Sequence, residues 1–173
     1  MNMPSFEEDE KPWKTDLARK SAQRRVQVLQ ELEEAIKKAP SFEEALKQAV
    51  ELMKRRFARF SAVTAYVADG EDLAVLIALE RPQGPDRVWS GGGPLADAAQ
   101  GSHPTLISDL SGDAAWGAVG LVKGSAVVAP VRTDAGLWAI LEVWSDFRDA
   151  FGPQDVKLIG GVVAAVAKKT PAA

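Results

Sequence analysis

The spacing of hydrophobic positions switches along the chain between a helical and a strand period, and the switches outline its elements. Over residues 14–39, Ala22, Val26, Leu29, Leu32 and Ile36 recur at intervals of three and four with charges between them, which predicts an amphipathic helix. Pro40 stops it. Ser41 opens a second helix, and with Glu44 it forms a capping box: the hydroxyl accepts a backbone N–H while the carboxylate reaches back. Phe42, Ala45, Leu46, Ala49, Val50, Met53 and Phe57 then make a broad apolar stripe, read as core, that runs to about Arg59.

The period then falls to two. Residues 61–68 are rich in β-branched and aromatic side chains, Asp69-Gly70-Glu71-Asp72 supplies a hairpin turn, and residues 73–79 return. Residues 81–85 form a loop, 87–89 a short edge strand and 94–99 a short helix. Residues 105–108 read as another short strand, followed by a Gly/Ala-rich connection over 109–123 in which Trp116 is a plug on the domain.

The chain is organised around residues 124–145, GSAVVAPVRTDAGLWAILEVWS, two antiparallel strands joined by Thr133-Asp134-Ala135-Gly136. Alternation puts Ala126, Val128 and Pro130 on one face of the first strand. It puts Trp138, Ile140, Glu142 and Trp144 on one face of the second, and Leu137, Ala139, Leu141 and Val143 on the other. Both faces are mostly apolar, so the hairpin is expected to be central and covered on both sides. Pro153 begins a last helix to about Lys169, in which Gly160 and Gly161 predict close approach to another helix or to the sheet.

At 173 residues, 46% hydrophobic and 26% charged, the chain fits one domain with a terminal extension. A net charge of −3 argues against a nucleic-acid binder. No run approaches the ~18 apolar residues of a membrane helix. The acidic N-terminus has no apolar h-region, which predicts no secretory signal and a cytoplasmic protein. The absence of cysteine removes disulfides, thiolate metal sites and cysteine nucleophiles, and no cofactor is predicted.

Most polar features have an ordinary explanation. Arg19, Lys20, Arg24 and Arg25 read as a solvated helix face. Gly91-Gly92-Gly93 offers an anion cradle or a tight turn, and with no Lys-Ser/Thr behind it the turn is preferred. His103 is a turn histidine: a haem ligand would need a second shell, and a triad with Ser108 and Asp109 would need a nucleophile elbow. No catalytic or metal-ligating residue emerges. What remains is Glu142 between Trp138 and Trp144. A carboxylate there must be solvated, hydrogen-bonded or paired. Either it meets an arginine such as Arg132 across the hairpin, or it reaches water, or, if the pocket is a site, it matches a cationic or amine-bearing ligand.

The element order is α+β, and it resembles a GAF domain. The resemblance is carried by RFSAVTAYVADGEDL, GGGPLADAA, LISDL, SAVVAPVRTDAGLWAILEVWS and FGPQDVKLIGGVVAAVA, about residues 41–168. It implies an antiparallel five- or six-stranded sheet with terminal helices on one face, commonly dimerising, and a ligand pocket on the other. Within that family, the free methionine-R-sulfoxide reductases would place cysteines near Leu95, near Trp116 and around Arg81, and none is present. Their substrate-holding acidic residues match Ala126, Glu142 and Trp144, so only Glu142 keeps a carboxylate. Bilin attachment also needs a cysteine. Of the cyclic-nucleotide signature, Phe151 and Asp155 remain, but Val156 replaces the glutamate and no asparagine precedes Lys123.

The expected organisation is a tail over residues 1–13, a helix over 14–40, a GAF-like domain over 41–169 and a tail over 170–173. The first helix either packs on its own domain or pairs two chains in a homodimer. Two functions fit. One is a non-catalytic sensory or regulatory module that binds an unidentified small molecule through Trp116, Ala126, Trp138, Ile140, Glu142 and Trp144. The other is a structural or interaction module, its pocket filled by its own tryptophans, that acts by homodimerising. No residue constellation supports an enzyme, a nucleic-acid partner or a membrane partner.

Overall fold

The computed structural model describes residues 12–171. Its elements are α1 (Pro12–Lys38), α2 (Phe42–Arg56), β1 (Ala62–Asp69), β2 (Asp72–Leu79), β3 (Arg87–Trp89), α3 (Ala96–Gln100), β4 (Thr105–Ile107), α4 (Ala114–Gly117), β5 (Ser125–Thr133), β6 (Gly136–Ser145) and α5 (Pro153–Ala167). The strands form one six-stranded antiparallel sheet in the order β3-β2-β1-β6-β5-β4. The fold is α+β, and the hairpin β5–β6 lies inside the sheet with cover on both faces, as its apolar alternation requires.

On one face α1, α2 and α5 pack over Val63, Ala65, Val127, Ala129, Leu141 and Val143. Ser41 Oγ accepts the N–H of Glu44 at 3.1 Å and starts α2, but the Glu44 carboxylate accepts from Gln48 Nε2 instead of reaching back. The stripe on α1 divides in two. Leu32 and Ile36 are buried in the chain's own core, with Val28 beside them, whereas Ala22 and Val26 are exposed. Leu29 lies between, set against α5 at Gly161, where an added Cβ would meet its Cδ1 at 3.1 Å. The close helix–helix approach expected of the glycine pair is therefore made at Gly161.

Three boundaries move. Helix α1 begins at Pro12, inside the span assigned to the tail, while residues 1–11 and 172–173 lie outside the described residues. The second helix stops at Arg56, and the connection over 109–123 contains the single turn α4. No described helix is long and apolar enough to cross a membrane.

The hairpin holds one correction. Its register runs Val131↔Ala139 and then Arg132↔Leu137, so β6 carries one extra residue, Trp138. A bulge of this kind sets two residues against one and interrupts the alternation. Trp138 therefore turns to the helix face, beside Ala139. Its ring lies 5.9 Å from that of Phe42, and its Nε1 donates to Thr133 Oγ1 at 2.9 Å. It does not share a face with Ile140 and Trp144.

Candidate functional site

The face opposite the helices is covered by α3, α4 and the connections around them. A second apolar cluster forms there, including Tyr66, Leu95, Trp116, Ala126, Ile140 and Trp144. Four of the apolar residues expected at the pocket are thus brought together, and Trp138 is not. Trp116 plugs the cluster from α4, and the Nε1 of Trp144 donates to Lys123 O at 2.9 Å.

Glu142 is set into this face at the middle of the sheet and is 1% exposed. Its cross-strand neighbours are Thr64 on β1 and Val128 on β5. Tyr66 donates its hydroxyl to Glu142 Oε2 at 3.4 Å, and Arg81 brings Nε to 4.0 Å from Oε1. Arg132, the arginine expected from the hairpin, is elsewhere: it donates to Ala99 O and, at 3.1 Å, to Gly101 O behind α3. Glu142 pairs with Val128, four residues along β5 from Arg132, and its partner comes instead from the loop after β2.

Arg81 binds the two covering segments together. Its Nη2 donates to Val119 O at 3.0 Å and its Nη1 to Pro85 O at 3.3 Å, while its guanidinium sits 5.4 Å from the centre of the Tyr66 ring. The backbones close in as well. Gly120, at φ +89°, leaves no space for a Cβ against Gln83 O, nor does Gly84 against Val119 O. Residues 80–86 and 117–121 therefore form a lid over Glu142.

The electrostatics follow from burial. Desolvation pushes the Glu142 carboxyl up to about 7, opposed by the Arg81 charge and the Tyr66 hydrogen bond. Burial also holds the Tyr66 phenol well above its ordinary value, with the Glu142 charge adding to the effect. Among the described residues, two buried side-chain atoms lack a hydrogen-bond partner, Thr64 Oγ1 and Arg81 Nε. Both belong to residues that flank Glu142.

Other candidates resolve into structure. The Trp89 ring lies over Gly91 and Gly92, where a Cβ would meet it at 2.7 Å and closer, so the glycine run serves a turn. His103 is exposed. No group of three or more His, Cys, Asp or Glu among the described residues is placed to hold a metal. Asp155 caps α5 by accepting Gly152 N–H at 2.9 Å and pairs with Arg59.

Sequence reasoning missed Arg81, Tyr66 and Thr64. The two strand residues were within reach: Ala62, Thr64 and Tyr66 share the period that puts Tyr66 beside Glu142 once β1 is paired with β6. Arg81 left no such signal, because it lies outside any periodic element.

No family model matches the chain, and no curated protein matches it. Solved structures do. A free methionine-R-sulfoxide reductase from Neisseria meningitidis, determined with its substrate, is 19% identical over 86% of this chain and 89% of its own, with a TM-score of 0.75. A GAF sensor protein from Burkholderia vietnamiensis is 18% identical over 86% and 94%, TM-score 0.71. The fold is the GAF fold. A third example is the GAF domain of a phosphoenolpyruvate-protein phosphotransferase from Coxiella burnetii, 15% identical over 86% and 93%, TM-score 0.68. This GAF-fold chain contains no cysteine.

Proposed function

We propose that the protein is a non-catalytic sensory or regulatory module whose GAF fold binds a small molecule beneath the lid, at Glu142. One observation carries this reading: two buried polar atoms without partners, Thr64 Oγ1 and Arg81 Nε, belong to residues converging on a buried carboxylate beside an apolar cluster. Buried polar groups are almost always satisfied, and an exception at a pocket points to a missing partner. Ile140, Trp144, Ala126 and Trp116 supply the apolar walls, and access requires the lid to open. Without a thiolate no sulfenic intermediate can form, so the sulfoxide chemistry of the reductase neighbours has no nucleophile here. The working form is a cytoplasmic homodimer paired through the exposed half of α1.

Native mass spectrometry of protein purified from its own host tests the reading. A retained non-covalent mass, depleted by Thr64→Val substitution, is expected. A chain that carries nothing from its host and gains no thermal stability from any small-molecule class overturns it.

A second reading is favoured by how completely this face is filled. Leu95, Leu110, Leu121 and Tyr66 are fully buried there. In that reading the pocket is self-filled and the module acts through its homodimer alone.

A further inference from the structure

We propose that Arg81, Glu142 and Thr64 make the site selective for an uncharged ligand, held by one group that both accepts and donates hydrogen bonds, a hydroxyl or an amide, on a small apolar body. The inference rests on the ligand-binding reading above and names its ligand class.

Charge gives the first argument. The side chains of Arg81 and Glu142 are 6% and 1% exposed, so the carboxylate already has its cation. Beside the ionised Glu142–Arg81 pair, a cationic or anionic ligand would add an unbalanced charge to a buried apolar face, which is costly. This departs from the amine expected of Glu142 alone, because that expectation supplied the carboxylate with no arginine.

Distance gives the second. The 4.0 Å between Arg81 Nε and Glu142 Oε1 is too long for a hydrogen bond. It suits one bridging atom at roughly 2.8 Å from each. Such an atom must accept from the Nε–H and donate to the carboxylate oxygen, as a hydroxyl does. An amide serves by its two ends, oxygen toward Arg81 and N–H toward Glu142. If Glu142 carries a proton, a hydroxyl or amide oxygen accepts from it, so either form of the acid is served. Thr64, paired directly with Glu142 across β1 and β6, offers a hydroxyl that can donate or accept to the same group. Ile140, Trp144, Ala126 and Tyr66 then face the ligand's body.

Four probes with one body and different head groups test this: benzyl alcohol, benzamide, benzylamine and benzoate. Each is titrated into the full ¹⁵N-labelled chain while the indole N–H signals of Trp116 and Trp144 are followed. Trp138, on the opposite face, is the internal reference. The alcohol and the amide should shift Trp116 and Trp144 with affinities about tenfold above those of the charged probes, the scale of one buried hydrogen bond lost or one charge left unmatched. Thr64→Val should weaken the two neutral probes several-fold. Glu142→Gln, which keeps an acceptor oxygen, should hold them within about threefold, given the modest net value of one hydrogen bond. Benzylamine or benzoate binding as tightly as the neutral pair overturns the inference, as does the absence of any shift at Trp116 and Trp144. The two failures are separable. A host-derived mass identified as a charged molecule removes the selectivity and leaves the binding reading standing, whereas a chain with no retained mass and no probe response removes both.

Discussion

Arg81 Nε stands 4.0 Å from Glu142 Oε1, yet the two residues belong to different layers of the molecule. Glu142 is fixed in the middle of β6, and Arg81 belongs to the loop after β2, where its guanidinium also holds Pro85 O and Val119 O. The pair ties the lid to the sheet. Arg81→Met keeps the length and removes both roles. It should cost about 1–3 kcal/mol in urea unfolding, the scale of the hydrogen bonds lost to Val119 O and Pro85 O, because a carboxyl that titrates near 7 takes up a proton when its cation is removed. It should also speed amide exchange in residues 80–86 and 117–121 relative to the helix-face core. Uniform exchange across the domain would show that Arg81 does not hold the lid.

Glu142 should leave a mark on the pH dependence of stability. Its carboxyl titrates near 7 when folded against 4.5 as the ordinary value. Between those values the folded state binds more protons than the unfolded state, so stability falls as pH rises through the window and levels off above it. Glu142→Gln has no such titration. The stability of the wild type relative to the Gln variant should be flat below about pH 4.5, decline by up to about 3 kcal/mol as pH approaches 7, and be flat beyond. Denaturant melts at a series of pH values measure it. A difference that grows in favour of the wild type over that window would mean that Arg81 outweighs burial.

The same two residues mark where the sequence could be read and where it could not. The sheet, its central hairpin and the helix layer were legible because their apolar residues repeat at fixed intervals, and those intervals survive in Leu141, Val143, Leu46 and Met53. The bulge at Trp138 was not legible, since nothing in GLWAILEVWS distinguishes a strand that alternates throughout from one with an extra residue near its turn. That one residue moved an indole from the pocket face to Phe42. Glu142 signalled that it needed a partner, but the partner lies 61 positions earlier in an aperiodic loop, as the numbering shows. Only the folded chain, with the loop after β2 laid over β6, brings them together.

Asp155 offers a contrasting carboxylate, one whose every contact is structural. It is 1% exposed, accepts the Gly152 N–H at 2.9 Å at the start of α5, and takes Arg59 Nη1 at 3.0 Å, with Arg25 of α1 at 3.7 Å. Asp155→Ala removes the cap and leaves two arginines facing an apolar gap. A loss of about 2–4 kcal/mol is expected, with the probe titrations at Trp116 and Trp144 unchanged if the variant is assayed well below its melting temperature. A change in those titrations would connect Asp155 to the pocket and contradict a purely structural role.

Assembly can be tested at a residue that the core does not use. Leu29 is a poor choice, because its side chain already rests on Gly161 of α5 and an acid there would disturb the domain itself. Val26 is 57% exposed and Leu17, further along the free half of α1, is 58% exposed. Beside them, Val26, Leu29 and Leu158 line a hollow of about 250 Å³ between α1 and α5. In a homodimer paired through α1, a copy of the same helix would cover these residues by twofold symmetry, with one patch serving both chains. Val26→Glu should therefore convert the dimer to monomer in sedimentation equilibrium. The change in stability of the dissociated chain should stay within about 0.5 kcal/mol, as for an ordinary surface substitution. A wild type that sediments as a monomer at high concentration rules out the homodimer. A dimer that persists in Val26→Glu places the interface elsewhere than the exposed half of α1.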